Sequence, residues 1–187
     1  MDVIDRYMDE VEAAIRGIDR NDVRAVVDAI YEAWMGDRQI FIIGNGGSAS
    51  TASHMMNDLS KFTRAEGKPR IRAIALTDNV PLMTAYGNDQ SYDDVFAEPL
   101  ATLMREGDTL IAISGSGNSP NVVKAVAFAA ARGARVIGFC GSPGGKLAEM
   151  AHLRVIVPAM HIGQQEDGHL VLNHAIATAL RERLLAS

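Results

Sequence analysis

Four residues have the types and spacing for proton transfer or metal ligation. His54 and Asp58 stand four apart, so a helix there puts an imidazole and a carboxylate on one face. Near the C-terminus Glu166 and His174 are eight apart and share a stripe of a second helix, with His169 and Asn173 on the same segment. Two imidazoles and two carboxylates that converge serve general acid and base chemistry, around a divalent metal where they act together as ligands. Taken singly, each histidine reads as a surface or satisfied core residue, and His152 and His161, which lack such spacing, keep that reading. Cys140 ends an apolar run and reads as a buried, inert thiol.

A second set of residues reads as an anion cradle. Gly44-Asn45-Gly46-Gly47-Ser48 and Ser114-Gly115-Ser116-Gly117-Asn118-Ser119 each follow a short apolar run and precede a helical stretch. Small residues let the backbone approach a ligand, while hydroxyls and helix N-termini donate to a phosphate. One such loop alone is read as a tight turn; two, after strands of one sheet, point to a ligand crevice. The chain has no G-x-x-x-x-G-K-[ST]. Its first loop fits G-x-G-x-x-G/A only in the loosest form, and Glu66 lies in a polar loop rather than at a strand end, so no nucleotide cofactor is expected. Gly87-Asn88-Asp89 is a turn signal by composition.

These residues need a scaffold, and the hydrophobic pattern supplies one. Runs at 39–43, 71–76, 109–114, 134–140 and 153–157 are apolar and β-prone, which predicts parallel strands buried on both faces. Helical stretches near 48–61, 79–87, 94–105, 119–131 and 145–151 are crossovers, and a last helix over about 165–185 closes the chain. Residues 1–36 carry apolar positions at helical spacing and predict a helical hairpin. Asn21 or Asp22 would cap its second helix, and the hairpin would pack on the sheet or on another subunit. The expectation is an α/β fold, a doubly wound, flavodoxin-like, five-stranded parallel sheet with helices on both faces. At 187 residues it should form one domain over 1–187, with the hairpin at 1–36 and the α/β core and C-terminal helix at 37–187.

Composition narrows the function classes. With 48% hydrophobic and 22% charged residues the chain is neither disordered nor membrane-like, and no apolar run reaches the length of a bilayer span. The net charge of -5, with Lys and Arg scattered among acids, leaves no basic stripe for nucleic acid. A single cysteine and an acidic start, Met1-Asp2, without a signal peptide's basic and apolar regions, lead to an expected cytoplasmic location.

The two loops, with Ile-Ser-Gly-Ser-Gly-Asn-Ser at 113–119, Gly-Asn-Asp at 87–89 and Gly-Gly-Lys-Leu-Ala at 144–148, resemble the sugar isomerase (SIS) domain in its phosphoheptose isomerase branch. The resemblance covers nearly the whole chain. It implies an aldose–ketose isomerase that converts sedoheptulose 7-phosphate to D-glycero-D-manno-heptose 7-phosphate through an enediol. It implies a homotetramer with active sites at subunit interfaces, a phosphorylated sugar as substrate, and neither nucleic acid nor membrane as partner. The phosphate falls to Ser114, Gly115, Ser116 and Ser119, and further substrate contacts to Asn45, Gly46, Gly47, Ser48, Asn88, Asp89 and Glu166. Proton transfer falls to Asp58 and His174, and one divalent metal per site, zinc, to His54, Asp58, Glu166 and His174.

Two positions depart from the family pattern. Its His-x-x-x-Glu ends here in Asp58, one methylene shorter, which displaces the carboxylate by roughly 1.5 Å unless the backbone or a metal compensates. Its Gln on the last helix is here Glu166; Gln165 is an alternative register that implies a bulge, while Glu166 keeps the eight-residue spacing to His174. A carboxylate in place of an amide favours a divalent cation. Two other readings stay open. One is an isomerase of another phosphosugar, such as a hexulose phosphate; the other is a non-catalytic sugar-phosphate sensor or scaffold, against which the presence of His174 counts.

Overall fold

A computed structural model describes residues 2–187. Five strands, β1 (Gln39–Gly44), β2 (Arg72–Ala75), β3 (Thr109–Ser114), β4 (Arg135–Gly141) and β5 (Leu153–Val157), form one sheet in the order β2-β1-β3-β4-β5. All four neighbouring pairs are parallel. This is the doubly wound, flavodoxin-like order expected, and its direction of winding reverses between β1 and β3, the two strands that run into the glycine and serine loops.

Alternate residues of each central strand face opposite layers, as strand geometry requires. Ile40, Ile42, Ile111, Ile113, Ile137 and Phe139 pack under α1 (Val3–Gly17), α2 (Arg20–Met35), α3 (Gly47–Asn57) and α8 (Ile162–Ala186). Phe41, Ile43, Leu110, Ala112, Val136 and Cys140 face α4 (Val80–Asp89), α5 (Ala97–Leu103), α6 (Pro120–Ala131) and α7 (Gly145–Met150). Burial on both faces holds for β1, β3 and β4 but not for the edges. Arg72 and Ile74 of β2 and Arg154 of β5 are exposed, because the helical layers do not extend fully over the outer strands. The hairpin docks within the chain: Ala14, Val26, Ala29, Ile30 and Ala33 join the same core as Leu172, Ile176 and Leu180 of α8. Enclosing a side chain such as Ile30, fully buried, contributes about 1.5–3 kcal/mol to that docking.

Several boundaries differ from expectation. Asp19, rather than Asn21 or Asp22, caps α2, its carboxylate accepting from the Asn21 amide at 2.8 Å. Gly87-Asn88-Asp89 is the last turn of α4 and not a separate turn: Asn79 caps this helix and Pro81 sits in its first turn, a start strong enough to carry it through the glycine. The stretch near 94–105 is a 3-10 turn at Tyr92–Asp94 followed by the short α5. The last helix begins earlier than expected, at Ile162, where His161 caps it by accepting from the Gly163 amide. His152 is structural too, its Nδ1 accepting from the Val136 amide at 3.0 Å. Most consequential is the end of α3, which passes at Asp58 into a π-helical turn, Asp58–Phe62, closed by the Thr63 amide donating to the Asp58 carbonyl at 3.1 Å.

Candidate active site

The π turn brings the Asp58 carboxylate, nearly buried, up against two half-exposed imidazoles. Asp58 Oδ2 lies 3.4 Å from His54 Nε2 and 3.8 Å from His174 Nε2, and the two Nε2 atoms are 3.2 Å apart. Ligand atoms of all three residues lie within 4.8 Å of one another. A cavity of about 210 Å³, lined by Asp58, Phe62, His174, Ala177 and Thr178, opens beside them. α3 and its π turn supply His54 and Asp58, and α8 supplies His174, so the packing of α3 on α8 sets the cluster's geometry.

The serine loop and the first glycine loop line a second cavity of about 140 Å³. Asn45, Ser48, Ile113, Ser114, Gly115, Ser116, Ser119, Ile162 and Glu166 form its walls. Ser114 Oγ and Ser119 Oγ are 3.4 Å apart, and the Gly117 and Asn118 amides donate to Ser114 Oγ and Ser116 Oγ. Two helices begin here, α3 after Gly46 and α6 after Ser119, and neither has a side-chain cap. Uncapped N-termini present free N–H groups and positive dipole ends, which is what a phosphate needs. Gly117 has φ +65° and a Cβ there would collide with the Gly144 carbonyl, so only glycine closes this loop against α7.

Glu166 does not join His54, Asp58 and His174 within one chain. Eight helical residues separate it from His174 by about 12 Å along α8. Its carboxylate instead lies against Gly47 at the start of α3, in the space a Cβ at Gly47 would occupy, and faces the serine cavity. Gln165, the alternative register, turns away: its side chain lies against Gly115 and Gly141, and its Nε2 donates to the Ala159 carbonyl at 2.8 Å. Asn88 and Asp89 are exposed, hydrogen-bonded to each other, and outside both cavities.

Asn45 reaches the serine-loop cavity but its side chain is committed to the protein. It exchanges two 2.9 Å hydrogen bonds with Asn121, 2% exposed at the start of α6, and accepts one from the Tyr92 hydroxyl at 3.1 Å. This amide pair ties the glycine loop to the serine-loop helix. Asn121 and Tyr92 carry no spacing signal, because their partner is far away in sequence. Asn173 was visible beside His174, but its hydrogen bond to Asp58 was not. His169, on the same face, is fully buried next to Phe139 with neither ring nitrogen at hydrogen-bonding geometry. Burial pushes its pKa down to about 4, against a smaller opposing pull from the Cys140 backbone. Burial likewise holds the Cys140 thiol up at about 12, so it is un-ionised and inert.

A parallel sheet with a serine cradle at its winding reversal and an imidazole–carboxylate cluster on the adjoining helices defines a sugar-phosphate-binding α/β protein. Residues 6–141 match the SIS domain family, and the chain belongs to that family, in its phosphoheptose isomerase branch. It is 38% identical over 155 residues to the phosphoheptose isomerase of Burkholderia pseudomallei, covering 82% of this chain and 78% of that one. The phosphoheptose isomerase of Geotalea daltonii is 35% identical over 162 residues, covering 87% and 84%. The solved structure of phosphoheptose isomerase from Neisseria gonorrhoeae superimposes with a TM-score of 0.88 at 31% identity, over 96% of this chain and 97% of that chain.

Proposed function

We propose that this chain isomerises sedoheptulose 7-phosphate to D-glycero-D-manno-heptose 7-phosphate. The observation that carries the reading is the convergence of His54 and Asp58, from α3 and its π turn, with His174 of α8, a helix that also lines the serine-loop cavity. Along α8 the two regions are about 12 Å apart, so a substrate held by its phosphate must present its reacting carbons at some distance from it. An open-chain heptose phosphorylated at C7 and reacting at C1 and C2 meets that requirement.

The phosphate binds Ser114, Ser116, Ser119 and the first turns of α3 and α6, which fixes the sugar chain and makes the proton transfers effectively intramolecular. Proton abstraction from C1 with protonation of the C2 oxygen gives the enediol. Removal of the O1 proton and protonation of C2 then completes the exchange. Asp58 and His174 carry these protons between them. Two imidazoles and a carboxylate within reach of one another fit a zinc site that keeps an open position, and His54, Asp58 and His174 would hold the ion. Bound there, zinc would act as a Lewis acid that polarises the carbonyl and hydroxyl oxygens. Glu166 faces the sugar from the cradle side, where a carboxylate accepts hydrogen bonds from hydroxyls.

The working form is a homotetramer in the cytoplasm. Val3, Ile4 and Met8 of α1 are more than half exposed on one apolar face, and Val171 of α8 is also exposed, as expected of surfaces covered by other subunits. Asn88 and Asp89, exposed and remote from their own chain's cavities, would complete a neighbour's site in that tetramer. Among the described residues no helix is long and apolar enough to cross a membrane.

The test is to incubate the protein with sedoheptulose 7-phosphate and a panel of shorter ketose phosphates, with and without zinc, and to follow aldose formation by NMR. Conversion of the heptulose phosphate in preference to the others is expected. Preference for a hexulose phosphate would transfer the reading to another phosphosugar, and no turnover at all would make the chain a sensor or scaffold. Activity that persists after a chelator has stripped all metal would remove zinc from the account.

A further inference from the structure

Next to the cluster sits a polar side chain for which neither packing nor the reaction above supplies a reason. Asn173 is 0% exposed, one residue before His174 on α8. Its Oδ1 has no hydrogen-bond partner, which makes the amide a cost to the fold. Its Nδ2 donates to Asp58 Oδ2 at 2.9 Å, across 115 residues of chain.

That oxygen is the pivot of the site, being also the Asp58 oxygen that approaches His54 Nε2 and His174 Nε2. The other carboxylate oxygen has only a long contact, 3.3 Å, from the neighbouring Asn57 amide. An aspartate carboxylate rotates readily about its last torsion, which is broad and two-fold. Without a fixed donor, either oxygen would face the histidines at a range of angles. We propose that Asn173 is a positioning residue, whose buried amide locks the Asp58 carboxylate so that Oδ2 is held toward His54 and His174. The inference rests on the isomerase reading, in which Asp58 carries a proton and binds the metal. Outer donors to a ligating carboxylate commonly change metal affinity or activity by about 10–100-fold when removed.

The test uses Asn173→Leu, which keeps the branched shape and heavy-atom count and cannot donate, with Asp58→Asn run in parallel. In Asn173→Leu, zinc binding to the metal-free protein, titrated against a chromophoric chelator, should weaken about 10–100-fold, and kcat should fall by a similar factor with KM within about 3-fold. The melting temperature should change little, because the lost hydrogen bond to Asp58 is offset by removal of a buried unpaired oxygen. In the Asp58→Glu background the longer side chain carries its carboxylate past the amide, so adding Asn173→Leu should change kcat and zinc affinity less than about 3-fold. If Asn173→Leu does not fold, Asn173→Ala is judged by the same readouts. Unchanged zinc affinity and kcat while Asp58→Asn is inactive would overturn the positioning role alone. So would equal losses in both backgrounds, or a loss confined to melting temperature. An active Asp58→Asn would overturn the assignment of Asp58 beneath it.

Discussion

Two ionisable side chains on α8 lead to predictions that can be separated from the reaction itself. His169 is held neutral by burial, with a pKa of about 4 against the ordinary 6.5. Between those values the unfolded chain binds the proton and the folded chain refuses it. The native state is therefore fully favoured above about pH 6.5 and loses about 3 kcal/mol as the pH falls toward 4. His169→Leu should flatten that part of the stability profile, measured by urea denaturation from pH 7.5 to 4, and should not lower stability at pH 7, because neither nitrogen of the native ring is partnered. An unaltered acid slope would show that other groups set it. Glu166 puts a carboxylate on the wall of the serine-loop cavity, the proposed phosphate site. A like charge at about 4 Å in water-like surroundings is worth about 1 kcal/mol. Glu166→Gln should therefore tighten inorganic phosphate about five-fold by calorimetry, while slowing turnover if the carboxylate also holds a sugar hydroxyl; weaker phosphate binding would mean that Glu166 does not face the anion.

The serine loop and its helix are rigid for reasons concentrated at a few backbone positions. Gly117→Ala puts a side chain at φ +65° into the Gly144 carbonyl, and should cost at least about 2 kcal/mol in thermal or urea unfolding and abolish phosphate protection against heating. Near-native stability would show that the loop can open away from α7. This loop was legible before the structure, as were the central strands and their doubly wound class, because continuous apolar runs ending in glycine and serine mark buried parallel strands and their ligand-facing turns. The exposure of β2 and β5 was not, since an edge position is decided by the whole sheet. Asp19, Asn21 and Asp22 are all able to cap α2, so composition did not decide among them. The π turn at Asp58 had no local signal because the pattern that marks α3 is simply continued through it. Asn121 and Asn173 were equally hidden: each finds its partner only after the sheet has brought distant helices together.

For the molecule as a whole, one chain joins the serine-loop cavity and the His54–Asp58–His174 cluster through α8, while the apolar face of α1 and the remote Asn88-Asp89 pair are exposed. Light scattering should give a tetramer, and replacing Val3, Ile4 and Met8 together by Ser should yield smaller species with reduced turnover per chain. A fully active monomer would separate function from assembly. The central claim, isomerisation through an enediol by groups on α3 and α8, is tested most directly by running the reaction on sedoheptulose 7-phosphate in deuterium oxide and reading the product by NMR. The account predicts an aldoheptose 7-phosphate carrying solvent deuterium at C2, and loss of at least about 1000-fold in rate for His174→Ala with the fold intact. Product formed at an undiminished rate by His174→Ala, or no product from the zinc-loaded native protein, would contradict it.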